Sequence, residues 1–177
     1  MSTLTRRQAG LVPPPPAGRA LSPRAPELRP DPVPDAAPPL KDPRALAAWR
    51  ATINRTALAR SGENLSVVLY ALIRPGGDPH DDLAAVRSYA QTERLLVVDQ
   101  IVDTLGYNDQ ACEDDPTRRR GYARALHLLG DQSSPVRGFV AVSRTAVTPD
   151  GRLYEAQLAL HAARGTALHL VRGETGI

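Results

Sequence analysis

The chain lacks most of the side chains that announce chemistry. It has one cysteine, Cys112, which excludes an internal disulfide framework and any multi-cysteine metal site. Aromatics make up 4%, with a single Phe and a single Trp. No apolar run approaches the roughly 20 residues of a membrane span. Charge of one sign is missing too. The net charge is +3, and residues 1–43 carry six basic against four acidic side chains, so the remainder is nearly balanced. A pI near 9.4 therefore does not translate into the concentrated basic face of a DNA-binding domain. The one dense cluster, Arg118-Arg119-Arg120, follows Glu113-Asp114-Asp115 and reads as a solvated loop of mixed charge.

Proline is abundant, but in one place. Twelve of the 17 prolines fall at or before Pro43, including Pro13-Pro14-Pro15-Pro16. Residues 1–43 have no aromatic side chain and no apolar period. They cannot bury enough surface to offset their ordering entropy, so a disordered Pro/Ala/Arg-rich tail is expected. Its polyproline stretches could also serve a proline-reading groove. Arg6-Arg7 resembles the start of a twin-arginine leader. The apolar segment behind it is only Ala9–Val12, against the roughly 7–15 residues an export signal needs, so a cytoplasmic location is expected.

The folded part is expected over 44–177. Arg44–Arg60 has helical spacing of Leu46, Trp49, Ile53 and Leu58, ended by Ser61-Gly62. Ser66–Ile73 is a continuous apolar strand, and helix-start chemistry at Asp78–Asp82 precedes Leu83, Val86 and Ala90. A second strand runs Leu95–Val102 to Asp103. A loop then passes Pro116 to a helix near Arg119–Leu129. A strand at Val136–Ser143, a helix begun by Thr148-Pro149-Asp150-Gly151 and a strand at Ala167–Val171 complete the order. Strands alternating with helices imply an α/β fold: an open, mainly parallel four-stranded sheet with helices on both faces. The run without alternation places Val67–Ile73 centrally, between Val97–Val102 and Val136–Val142.

Chemistry on such sheets gathers at the carboxyl ends of strands. The first strand opens there into Arg74-Pro75-Gly76-Gly77-Asp78-Pro79, with no Ser or Thr between Ser66 and Ser88. A dinucleotide site would need Gly-x-Gly-x-x-Gly at this turn. A phosphate-receiving signalling domain would need acidic residues where Arg74-Pro75 stand. His80-Asp81-Asp82 could supply metal ligands, but its two carboxylates are more simply helix-dipole partners. The acidic stretch Asp99, Asp103, Asp109 and Glu113–Asp115 admits a magnesium reading that nothing else supports. His127, His161 and His169 lack the spacing of a zinc helix. No metal and no cofactor is expected.

Val67–Val171 resembles the amino-terminal catalytic domain of serine recombinases, the resolvases and invertases. Tyr70-Ala71-Leu72-Ile73-Arg74 matches the family's Tyr-x-Arg-x-Ser strand, and Val97–Asp103 a strand ending in Asp. Arg119-Arg120-Gly121-Tyr122 matches an Arg-Pro-Gly helix start, and Ser143-Arg144-Thr145-Ala146-Val147 the later Asp-Arg-Leu-x-Arg. The resemblance implies a resolvase-like fold. It also implies losses: Arg74 stands at the nucleophilic serine, Leu72 and Val147 at two arginines that stabilise charge, and only Arg119 and Arg144 remain. No catalytic residue is therefore expected, and Arg74, Arg119 and Arg144 are the candidate anion or phosphate ligands. The sequence up to Ile177 is expected to leave no room for the family's dimerisation helix and DNA-binding module.

Three functions follow. The first is a non-catalytic recombinase-like domain acting through protein contacts, as a regulator or adaptor. The second is a DNA-associated accessory protein holding phosphates weakly through Arg74, Arg118, Arg119, Arg120 and Arg144. The third is a small-ligand enzyme on the same fold class, which would show a perturbed titratable group at the strand ends.

Overall fold

The computed structural model describes residues 42–62 and 64–174. The tail expected over 1–43 thus lies, up to residue 41, outside the described residues. Asp42 caps the first helix, α1 (Pro43–Ser61), accepting the Ala45 N–H at 2.8 Å. There follow β1 (Ser66–Ile73), α2 (Pro79–Thr92), β2 (Leu96–Thr104) and a short α3 (Gln110–Asp114). A 3₁₀ turn at Pro116–Arg118 leads to α4 (Arg120–Gly130), β3 (Gly138–Ala141), a one-turn α5 (Arg144–Val147), α6 (Gly151–Arg164) and β4 (Ala167–Leu170).

The four strands form one all-parallel sheet in the order β2-β1-β3-β4. β1 is internal and its residues Val67–Ile73 are buried, as its unbroken apolar run requires. Its side chains split between two cores. Val68, Tyr70 and Leu72 pack with Tyr122, Phe139, Leu158 and Leu168 under α4 and α6. Val67 and Leu69 pack with Val86, Ala90, Val140 and Ala167 under α2. Tyr70, Tyr122 and Phe139 meet ring to ring at 5.2–5.5 Å between centroids. No helix among the described residues is long and apolar enough to cross a membrane.

The two sheet edges differ. α1 covers β4: the Asn54 amide donates to the Leu168 carbonyl and accepts the Leu168 N–H, both at 2.8 Å. One side chain thereby occupies an edge that would otherwise be open to another strand. β2 has no such cover among the described residues. Leu96, Val97, Val98 and Val102 are 40–56% exposed, and an irregularity at Val67/Val68 shifts its register against β1. Leu58 is likewise exposed, contrary to its expected place on the inner face of α1, and Ala57 is buried there instead. At about 100° per residue, position 57 returns to within roughly 20° of Leu46, whereas 58 lies about 120° away.

Two histidines, His161 buried and His169 largely so, are held as neutral groups. The His161 Nδ1 lies 2.9 Å from Thr166 Oγ1 and the His169 Nδ1 3.1 Å from the Tyr89 hydroxyl, while both Nε2 atoms lack a partner. Burial pushes His161 down to about 3 and His169 to about 4, and the nearby Arg164 and Arg50 add to the shifts. Because the folded state binds these protons less readily than the unfolded chain, stability is full above pH 6.5 and falls as pH drops below it. We expect up to about 3 kcal/mol to be lost between pH 7.5 and 5.5. Urea denaturation at the two pH values checks this; equal stabilities would contradict it.

Candidate functional site

The carboxyl end of β1 is where the sequence directs attention, and three segments meet over it: Arg74 after β1, α3 with the turn that follows, and α5. Tyr70 and Asp103 lie beneath them on adjacent strands. The Asp103 carboxylate accepts the backbone N–H of Gly121 at 2.7 Å and of Tyr122 at 2.8 Å, and the Tyr70 hydroxyl at 3.0 Å. One carboxylate thus satisfies two of the free N–H groups at the start of α4 and pins that helix to β2. Such proximity requires glycine at 121. A Cβ there would lie 2.6 Å from Ile101 Cγ2 and 2.7 Å from the Asp103 carboxylate. The Tyr70 phenol is raised well above its ordinary pKa by burial, while Arg119 pulls in the other direction.

Arg119 is buried at 3% exposure. Its guanidinium donates from Nε to the Cys112 carbonyl at 2.6 Å and from Nη1 to the Ala146 carbonyl at 2.8 Å. A longer Nη1 contact reaches the Tyr70 hydroxyl at 3.4 Å, and Nη2 donates to the Glu113 carbonyl. Four of the five guanidinium N–H groups are thereby committed to the protein itself. The Thr148 hydroxyl donates to the Asp114 carbonyl. The last carbonyls of α3 are in this way fastened to the segment around α5.

Arg74 lies above this layer. Its Nε is 2.5 Å from Glu113 Oε1 and its Nη2 donates to the Thr145 carbonyl at 3.0 Å. Arg74 and Arg119 thus grip successive carbonyls, Thr145 and Ala146, of one turn. Arg144, at the start of that turn, has other partners. Its guanidinium sits 5.4 Å from the Tyr154 ring centroid, Nη2 donates to the Pro149 carbonyl at 3.2 Å, and the buried Nε has no partner.

The energetic difference between the three decides what an anion would meet here. The Arg74–Glu113 pair is half exposed, at 43% and 24%, so it is worth under about 1 kcal/mol and opens easily. Releasing Arg119 would leave three backbone carbonyls without donors in a buried place, at a penalty of several kcal/mol. Of the charged run Arg118-Arg119-Arg120, expected as a solvated loop, Arg119 is inside. Arg118 faces Asp115 at 3.6 Å and Arg120 is exposed. Sequence reasoning missed Glu113 as the partner of Arg74, and it missed α3 altogether. Among the described residues no group of three or more His, Cys, Asp or Glu is placed to hold a metal ion. His80 and its neighbours begin α2, where Asp78 accepts the His80 N–H at 2.8 Å and Asp81 and Asp82 occupy the first turn.

No protein-family model and no curated protein matches the chain. Solved structures do. The catalytic domain of ISC1926 TnpA, an IS607-like serine recombinase, is similar over 63% of this chain and 73% of its own, at 19% identity and a TM-score of 0.51. The amino-terminal catalytic domain of TP901-1 integrase is similar over 60% and 76%, at 10% identity and a TM-score of 0.51. The chain therefore carries a serine recombinase-like α/β fold.

Proposed function

We propose that this recombinase-like domain, spanning 44–177 behind a tail over 1–43, performs no strand cleavage and acts through protein contacts as a regulator or adaptor. The observation that carries the reading is the state of the β1 carboxyl end. Transesterification of DNA by such a domain needs a hydroxyl to attack phosphorus and guanidinium forks to stabilise the charge that builds. Arg74 stands where the hydroxyl would be and cannot be deprotonated to act as a nucleophile. It is ion-paired to Glu113, and the Arg119 donors are consumed by carbonyls. The β2 edge, uncovered among the described residues and with four apolar side chains exposed, supports the protein-contact part of the proposal.

The DNA-accessory alternative asks Arg74, Arg119 and Arg144 to hold phosphates together, yet only Arg74 is both exposed and cheaply released. The two readings separate by salt. Phosphate contacts give an affinity for duplex DNA that falls steeply as salt rises. We expect no saturable binding of a labelled duplex even at low salt; a steep, saturable salt series would favour the accessory role. The small-ligand enzyme alternative finds little support: the shifted histidines lie on α6 and β4 rather than beside Arg74, and the Tyr70 phenol beneath Arg74 is shifted upward by burial, which keeps it a protonated donor to Asp103 rather than a base.

Restoring the hydroxyl tests the same reading. Arg74→Ser is expected to remain inactive on supercoiled plasmid, because Leu72 and Val147 still stand at two charge-stabilising positions. Recovery of cleavage by this one substitution would show that Arg119 is available to a phosphate after all.

A further inference from the structure

The amino end of the sheet, opposite Arg74, carries a second cationic cluster. Arg60 ends α1, Arg137 immediately precedes β3 and Arg164 ends α6. Together with Ser61, Asn64 and Ser66 they line a cavity of about 310 Å³, and no acidic side chain among the described residues lines it. A neighbouring cavity of about 370 Å³ shares Arg137 and Arg164. That one also contains Asp131, whose carboxylate is occupied by the Ser133 N–H at 2.8 Å and hydroxyl at 2.7 Å. None of the three arginines has a carboxylate partner among the described residues. Arg137 donates to the Ser134 and Val136 carbonyls and Arg164 to the Leu126 carbonyl. Arg60 makes no hydrogen bond among the described residues, and the side chains of Asn64 and Ser66 make none either.

The simpler account is that Arg60 and Arg164 complement the negative carboxyl ends of α1 and α6. Its magnitude is insufficient. Three helix ends, those of α1, of α6 and of α4 (whose Leu126 carbonyl Arg164 holds), supply roughly −0.5 charge each against three full positive charges, so among the described residues an excess of about +1.5 remains. Gly165 ends α6 with φ +66°, the left-handed conformation that favours glycine. The guanidinium of Arg60 rests on this turn, next to Arg164.

We propose that Arg60, Arg137 and Arg164 form a binding site for the phosphate group of a small phosphorylated molecule, with Asn64 and Ser66 as neutral donors. Guanidinium forks match phosphate oxygens two at a time. The cavity is at the lower limit of small-molecule pockets, which suits one phosphate group with a small attached body rather than an extended chain.

The test is titration of the full chain with inorganic phosphate and pyrophosphate at constant ionic strength, followed by NMR of the arginine Nε–Hε groups. Saturable shifts of Arg60, Arg137 and Arg164 are expected. Arg60→Gln, which sacrifices no hydrogen bond and should fold normally, is expected to weaken binding at least tenfold, and Arg164→Gln likewise. Arg152→Gln, at the far end of α6, should leave it unchanged. Shifts that never saturate, or equal binding by Arg60→Gln, would overturn the proposal. Saturation by a duplex oligonucleotide but not by either small anion would overturn the ligand class.

Discussion

Val68→Asp should remove about 4 kcal/mol or more of stability, enough to unfold a domain of ordinary stability. Val68 is fully buried, and β1 is hydrogen-bonded on both sides, to β2 and to β3. Its side chain joins the apolar core formed by Tyr70, Phe139 and Tyr122, so a new carboxylate would be buried among apolar groups. Leu69→Asp, facing the opposite core, should behave in the same way. The contrast is Val102→Asp on β2. Val102 is 40% exposed at the open edge, and the same change there should lie within about 1 kcal/mol of the parent. Urea denaturation of the variants measures all of this. Equal losses at Val68 and Val102 would mean that β2 is covered in solution.

Asp103→Ala should destabilise by about 3 kcal/mol. The carboxylate holds the N–H groups of Gly121 and Tyr122 and the Tyr70 hydroxyl. Loss of the helix cap accounts for about 1–2 kcal/mol, and leaving the buried Tyr70 hydroxyl without its acceptor for a comparable amount. Asp103→Asn retains one acceptor oxygen and should lose less than half as much. Tyr70→Phe removes the donor rather than stranding it, so it should cost only about 1 kcal/mol. The double variant tests the coupling: if Asp103 acts partly through the Tyr70 hydroxyl, the two losses will not add. Additive losses would assign the whole effect to the α4 cap.

Much of this architecture is legible in the sequence because it rests on local signals. The unbroken run Val67–Ile73 could only be an interior strand. Asp78 and Asp150 announce α2 and α6, and each caps its helix as the sequence suggests. Where expectations failed, the deciding contacts are distant in sequence. Leu58 and Ala57 are both apolar, and only the face that α1 turns to β4 distinguishes them. β2 opens on the apolar run Leu96-Val97-Val98, yet as an edge strand it leaves Val97, Val98 and Val102 exposed. Arg118, Arg119 and Arg120 are chemically identical in the sequence. The extended backbone of Arg119, between the 3₁₀ turn and α4, sends that one inward to carbonyls at 112, 113 and 146. The candidate site was legible as a place, through Tyr70, Arg74 and Asp103. Its closure by Glu113 was not, because nothing local in Gln110–Asp114 foretells an ion pair 39 residues back along the chain.

We propose that the strand end marked by Arg74 does no phosphoryl transfer. The direct measurement is incubation of the purified full chain with supercoiled plasmid, quenched with denaturant so that any covalent protein–DNA intermediate is trapped. With Arg74 ion-paired and Arg119 spent on carbonyls, neither a nicked or linearised product nor a protein-linked DNA species should form. A covalent adduct in the unmodified protein would contradict the account, and with it the placing of Arg74 at the nucleophile's position.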